Sequence, residues 1–252
     1  MEQDFLGKSV LVTGAARGLG RDTAELFLAR GASVLLVDID EPRLAETISQ
    51  IGDAGGRARS FVCDTSKRDQ CFAAVQAALD AFGRLDVLAN VAGVLGVNHF
   101  KDVTEAEVDR ILKVNISGPL FLSQAAIPHL IESKGNIVNV ASAGGTQGSA
   151  YIVPYTASKA ALIQLTRSLA MEFMKAPIRI NTVSPGPMPT EISTGLSWRA
   201  DFDPELSGRF TGIRSKEQAT PGVAEVIVFV ASDKAHVLHG ANVNADNGAT
   251  AG

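Results

Sequence analysis

Cysteine is scarce: the 252 residues hold only Cys63 and Cys71. Two thiols in a chain of this length make no disulfide framework, so the expectation is a reduced, buried pair in a cytoplasmic protein. Long hydrophobic runs are missing. The longest, such as Val226 to Ala231, fall far short of the ~18–20 residues that span a bilayer. The opening Met-Glu-Gln-Asp-Phe lacks the basic and apolar regions of a signal peptide, which again points to the cytoplasm and away from a membrane. Positive charge is not in excess either. Lys and Arg number 23 against 27 Asp and Glu, a net charge of −4, which leaves no electrostatic footprint for nucleic acid. The four histidines, His99, His129, His236 and His239, show no metal-ligand spacing, so no metal is expected.

What the chain has is apolar content, 46% hydrophobic residues with 24 glycines. A chain of this size buries roughly 70–75% of its unfolded surface and needs no covalent staple. Short β-branched runs alternate with helical stretches from end to end. Strands are expected at 9–13, 33–38, 58–63, 85–90, 136–141, 178–183 and 241–245. Helices are expected at about 18–30, 41–51, 67–82, 105–132, 154–175 and 221–231. The strands read as continuous apolar runs, as they do when helices cover both faces. The pattern implies an α/β fold of the Rossmann type: a doubly wound parallel β-sheet of about seven strands, in a single domain over 1–252. One stretch breaks the rhythm. From about 187 to 220 the chain is rich in proline and glycine, yet it carries Trp198, the only tryptophan, with Phe202 and Phe210. A long segment of weak periodicity is disordered or functional, and the aromatics favour a lid over the substrate.

After the first strand comes Thr13-Gly14-Ala15-Ala16-Arg17-Gly18-Leu19-Gly20. Glycines at a strand-to-helix turn let the backbone approach a pyrophosphate, and the helix N-terminus offers N–H groups and partial positive charge. Alone, such a turn could be an ordinary βα connection. Asp38 closes the second strand, 18 residues after Gly20. A carboxylate there accepts hydrogen bonds from an adenosine ribose and repels a 2′-phosphate, which favours NAD over NADP. Arg17 pulls the other way, since a guanidinium in the turn could pair with that phosphate. Asp38 could instead serve as a helix N-cap.

Tyr155 and Lys159 stand at i and i+4, one above the other on a helix. A nearby ammonium favours the phenolate and lowers a tyrosine pKa from its ordinary value of about 10. Alone the pair could be an exposed helix contact. Ser142 follows the fifth strand, where open α/β sheets bind ligands, and its hydroxyl could hold a carbonyl oxygen beside the phenol. Asn115 lies inside the long helical region, where asparagine is mildly unfavourable. It could hold Lys159 through a water.

With these residues in order, the chain closely resembles the short-chain dehydrogenase/reductase family in its single-domain form, from about Leu6 to Gly248. The matching motifs are Thr13 to Gly20, Asp64, Asn90-Val91-Ala92-Gly93, Asn115, Ser142, the Tyr155/Lys159 pair and Asn181 to Thr190. The resemblance implies Tyr155 as general acid/base, and Lys159 lowering its pKa and holding the nicotinamide ribose. It implies Ser142 orienting the substrate oxygen and Asn115 anchoring a relay water. It further implies a cofactor path along Gly14, Arg17, Gly18, Leu19 and Gly20, with Asp38 at the ribose and Asp64 and Thr65 at the adenine. Asn90, Ala92 and Gly93 would line the adenosine, and Pro185, Gly186, Met188 and Thr190 the nicotinamide. Relatives pair their long helices across two-fold axes, which implies a homotetramer or homodimer.

Three departures stand out: Val91 where the family usually has a second asparagine, a shortened start at Thr220-Pro221-Gly222, and Asp246-Asn247-Gly248 near the end. The leading reading is NAD-dependent oxidation of a secondary alcohol or reduction of a ketone. The lid residues Leu196, Trp198, Phe202, Leu206 and Phe210, together with Val94, Leu95, Tyr151 and Ile152, imply an apolar pocket and a small-molecule substrate. An NADPH-dependent 3-oxoacyl thioester reductase and a non-catalytic nucleotide-sensing protein are the alternatives.

Overall fold

Alternation in the sequence becomes alternation in space. The computed structural model describes residues 3–52, 54–188, 199–208 and 219–251. The strands are β1 (Ser9–Thr13), β2 (Ser33–Asp38), β3 (Ala58–Val62), β4 (Val87–Asn90), β5 (Asn136–Val140), β6 (Arg179–Pro185) and β7 (Asn242–Ala245). They form one parallel sheet in the order β3-β2-β1-β4-β5-β6-β7. The helices are α1 (Gly18–Ala29), α2 (Glu41–Ile51), α3 (Arg68–Phe82), α4 (Glu105–Leu112), α5 (Gly118–Ser133), α6 (Val153–Glu172), α7 (Pro204–Gly208) and α8 (Thr220–Ala231). Among the described residues, no helix is long and apolar enough to cross a membrane.

The two-residue period of a strand sends its side chains to opposite faces, and each face meets its own core. Val10 and Val12 of β1 pack with Phe27 of α1 and with Ile227 and Val228 of α8. Leu11, between them, packs with Val75 of α3 and Leu122 and Leu130 of α5. Every residue of β1, β4 and β5 is buried, as befits central strands. β3, at the edge, exposes Arg59, Ser60 and Val62. The strand order reverses between β1 and β4, and open α/β sheets bind ligands outside such a switch point.

The expected helix over 105–132 is interrupted. A π-helical turn, Lys113–Ser117, separates α4 from α5. There the Gly118 N–H reaches back five residues to the Lys113 carbonyl, and Pro119 has no N–H to donate to the Asn115 carbonyl four residues back. Gly118 also runs close to β3's exit loop: a Cβ there would lie 2.9 Å from the Thr65 carbonyl oxygen.

The C-terminal end of α8 is closed by a side chain from the sheet. Arg179, at the start of β6, donates to the carbonyls of Val230 (2.9 Å), Ala231 (3.3 Å), Ser232 (3.0 Å) and Ala235 (3.3 Å). Asn136 of β5 adds a bond to Ala231 at 2.8 Å. These are the carbonyls a helix end leaves without partners, and a guanidinium suits the negative end of the helix dipole. Arg179→Met is expected to lower the unfolding free energy by about 2–3 kcal/mol, since it strands buried acceptors from a charged donor. Urea denaturation followed by circular dichroism measures this.

Candidate active site

At the sheet's carboxyl edge the β1 exit turn and the β4 exit loop touch. The Thr13 hydroxyl accepts from the backbone N–H groups of Val91 and Ala92, both at 3.0 Å. Gly14 has φ +68°, and a Cβ on it would come within 2.9 Å of the Ala92 Cα. A side chain at Gly20 would overlap the Gly14 carbonyl. Both positions therefore require glycine. α1 then starts with no side-chain cap and no acidic residue in its first turn, so its N–H groups and dipole face outward as an anion site.

Around this turn lies a cavity of about 940 Å³. Gly14, Arg17, Gly18, Leu19, Gly20, Asp38, Asp64, Thr65, Ala92 and Gly93 line it at one end. Ser142, Tyr155, Lys159, Pro185, Gly186 and Met188 line it at the other. The expected residues thus converge on one wall system, with three exceptions. Thr190 lies outside the described residues, as do Leu196, Trp198, Phe210 and most of the expected lid. Asn90 does not line the cavity. It is buried beneath it, donating to the Asn139 carbonyl oxygen at 2.8 Å, and Asn139 in turn donates to the Thr166 hydroxyl at 2.9 Å. Asn90 belongs to a polar relay that ties β4 to β5 and α6. Asn115 is the third exception.

Asp38 is not a helix cap. Asp40 caps α2, accepting from the Arg43 N–H at 3.3 Å. Asp38 instead accepts from the N–H of Ala16 in the glycine turn and from that of Asp40, each at 3.0 Å. Two backbone donors hold its carboxylate in place at the cavity wall. Arg17 lies 3.8 Å from the Asp40 carboxylate. Asp64 turns its own loop, accepting from the Ser66 N–H at 2.9 Å.

At the other end, the Ser142 hydroxyl accepts from the Gly144 N–H at 3.1 Å. Burial pushes the Tyr155 pKa above its ordinary value, and the nearby Ser142 hydroxyl draws it back. This differs from the expectation that Lys159 depresses it. The Lys159 ammonium sits 5.7 Å from the Tyr155 ring centre and donates to the Val140 carbonyl at 2.8 Å. Buried itself, Lys159 has its pKa lowered from 10.5 to about 8 by the loss of water around the charge.

Asn115 is buried in the π-turn, off the cavity. Its side-chain carbonyl accepts from the Val94 N–H at 2.9 Å, and its amide donates to the Val94 carbonyl (3.0 Å) and the Ser158 hydroxyl (2.9 Å). The side chain fastens the loop after β4 to α6, and its carbonyl oxygen and the Lys159 ammonium both face Gly93, 3.5 Å and 3.4 Å from where a Cβ there would stand.

Sequence reasoning missed one wall. Ala106, Asp109, Arg110, Lys113 and Val114 line the cavity from α4 and the π-turn. Their spacing of three and four is a helix face, and its position just before Asn115 was the available signal. Cys63 lines the cavity as well. It and Cys71 are free and buried, as expected.

A family model described as short chain dehydrogenase matches residues 8–200. A meso-2,3-butanediol dehydrogenase from Serratia marcescens is 35% identical, over 98% of this chain and 96% of its own. Among solved structures, a short chain dehydrogenase from Mycobacterium paratuberculosis bound to NAD is 29% identical with a TM-score of 0.91, covering 99% and 100% of the two chains. A short chain dehydrogenase from Burkholderia cenocepacia in complex with NADP is 32% identical with a TM-score of 0.87, covering 98% and 99%.

The lowered Lys159 pKa makes folding depend on pH. Between about 8 and 10.5 the unfolded chain holds the proton that the folded chain has released, so stability rises with pH across that window. Below about 8 the buried charge opposes folding. Lys159→Met is therefore expected to gain stability over the wild type at pH 7, and the gain should shrink by pH 10. Urea midpoints of both proteins at the two pH values test this; a pH-independent difference would refute it.

Proposed function

From the premise that the chain belongs to the short-chain dehydrogenase family, we propose that it is an oxidoreductase passing a hydride between NAD(H) and a secondary alcohol or its ketone. The observation that carries this is the meeting of Ser142, Tyr155 and Lys159 on the same cavity as the uncapped α1 and Asp38. The residues fit a dinucleotide. Gly14 leaves the close approach that a Cβ would block, α1 presents its N-terminus to a pyrophosphate, and Asp38 offers its carboxylate to a ribose. When bound, the nicotinamide supplies the hydride acceptor or donor.

The chain's own residues handle the oxygen and its proton. Tyr155 takes the alcohol proton on its phenolic oxygen during oxidation and returns it during reduction. Burial opposes the phenolate, and the Ser142 hydroxyl favours it. With substrate bound, the single Ser142 O–H proton turns from the phenol to the substrate oxygen. Lys159 serves the ribose, and Asn115 keeps the loop of Val94 against α6. Asp64, Thr65 and the α4 wall take the adenine end, and Pro185, Gly186, Met188 and Thr190 the nicotinamide end. Asp38 supports NAD over NADP, and the Asp40 carboxylate close to Arg17 engages the cation that a 2′-phosphate would otherwise meet. That argues against the NADPH-dependent 3-oxoacyl reductase. We read the protein as one cytoplasmic nucleotide-binding domain with a substrate lid over about 187–220. Met171 of α6 is 71% exposed, and Leu112 and Leu120 are partly so, which supports burial of these apolar helix faces in a homotetramer or homodimer.

Steady-state kinetics with a panel of secondary alcohols and both cofactors tests the reading. NAD is expected to exceed NADP by at least about tenfold in kcat/KM, roughly 1.4 kcal/mol, and Asp38→Ala to narrow the gap. A preference for NADP would show that Arg17 dominates.

Tyr155→Phe keeps the ring and removes the transferable proton. Its kcat should fall by about 10²–10⁴ while NAD affinity stays near wild type. Alcohol oxidation should rise with pH as the phenol ionises, and ketone reduction should fall. A mutant oxidising a good alcohol at close to the wild-type rate would sink the mechanism.

A further inference from the structure

Tyr151 has φ +67°, a left-handed conformation that a bulky side chain rarely adopts. Such strain persists where the surroundings over-determine it, and it gathers at ligand clamps. The surroundings here are unusually specific. The Tyr151 ring stacks on Phe202 with centres 4.1 Å apart and planes at 15°. His99 sets its edge against both rings, at 5.3 Å and 4.9 Å. The Tyr151 hydroxyl accepts from the Asp203 N–H at 2.9 Å, and its carbonyl accepts from the Asn98 N–H at 2.9 Å.

Phe202 is the one buried side chain from 199 to 206, at 8% exposure. Arg199 is bidentate on Asp201 and reaches Asp102 at 3.1 Å, and His99 lies 3.2 Å from Asp201. These ion pairs are solvent-exposed and contribute little; the stack and the Asp203 bond fasten the segment. Tyr151 itself lies outside the cavity lining. It stands between Ser142 and Tyr155, two residues before α6, and Asn98 belongs to the loop that carries Gly93 and Val94. The segment is therefore tied to the two loops that bear the cavity's reactive end.

We propose that Tyr151 is a clamp: a positioning residue that seats segment 199–208 beside the catalytic loop and thereby governs how tightly substrate is held. Its left-handed backbone aims the ring outward at Phe202 rather than into the cavity. The kinetic arm of the test rests on the dehydrogenase reading above; the exchange arm does not.

Hydrogen exchange by mass spectrometry, on the full chain, compares wild type with Tyr151→Gly, Tyr151→Phe and Phe202→Ala. Glycine is at ease at positive φ, so Tyr151→Gly should keep the global fold. Amides of 199–208 should exchange faster by about tenfold or more in Tyr151→Gly and Phe202→Ala, with protection elsewhere unchanged. Tyr151→Phe, which keeps the stack and loses the Asp203 bond, should fall between. In kinetics, Tyr151→Gly should raise the KM for the alcohol by about tenfold and leave kcat and the KM for NAD within about twofold. Unchanged exchange in 199–208 for both Tyr151→Gly and Phe202→Ala would overturn the clamp. A loss confined to kcat or NAD binding would overturn the positioning role. If no alcohol is oxidised, the function falls and the exchange data still decide the clamp.

Discussion

The contact between the β1 turn and the β4 loop is the constraint on which the site depends. Thr13 holds the two N–H groups of Val91 and Ala92, and Gly14 lets the backbones come together where any side chain would collide. This joint sits where the sheet order reverses. On one side it sets α1 with its N-terminus facing the cavity. On the other it leads, through Gly93 and Val94, to Asn115 and so to α6. The uncapped N-terminus of α1 and the Tyr155/Lys159 pair are therefore placed by the same few atoms. A loosened joint would affect both ends of the cavity together.

Beneath the cavity the protein carries polar groups that a simple core would not contain. Asn90, Asn139 and Thr166 form a buried relay from β4 through β5 to α6, and Asn115 binds Val94 and Ser158. Each buried amide is costly unless it is bonded. Their return is orientation: they lock α6, and with it Tyr155 and Lys159, at a fixed height against the sheet. Lys159 is the expensive member, a desolvated charge whose pKa drops to about 8. Below about pH 8 that buried charge works against stability.

The fold was legible almost in full, because strand and helix periods differ and β1 through β7 repeat them cleanly. The chain is helical over 105–132 as expected, but a π turn around Asn115 breaks the α-helical ladder, and apolar periodicity carries no sign of it. The site was legible where the chain brings its own chemistry, in the glycine turn, Asp38, Ser142 and the Tyr155/Lys159 pair. It was less so for asparagines. An Asn in a sequence looks the same whether its amide faces a ligand or a neighbouring strand, and both Asn90 and Asn115 turned out to bind protein.

By itself, then, the sequence determined the parallel α/β sheet, the turn that must be glycine, and the i, i+4 placement of Tyr155 and Lys159. All three follow from local rules of sterics and periodicity. Tertiary structure decided what lies between residues far apart in the chain. Asp38 binds the glycine turn rather than capping α2, and α4 forms a cavity wall. Lys159 points to the Val140 carbonyl and leaves Ser142 and burial to set the phenol. Tyr151 bends backward to meet Phe202. Hydrogen-bond partners and desolvation depend on which surfaces meet, and no local pattern encodes that meeting.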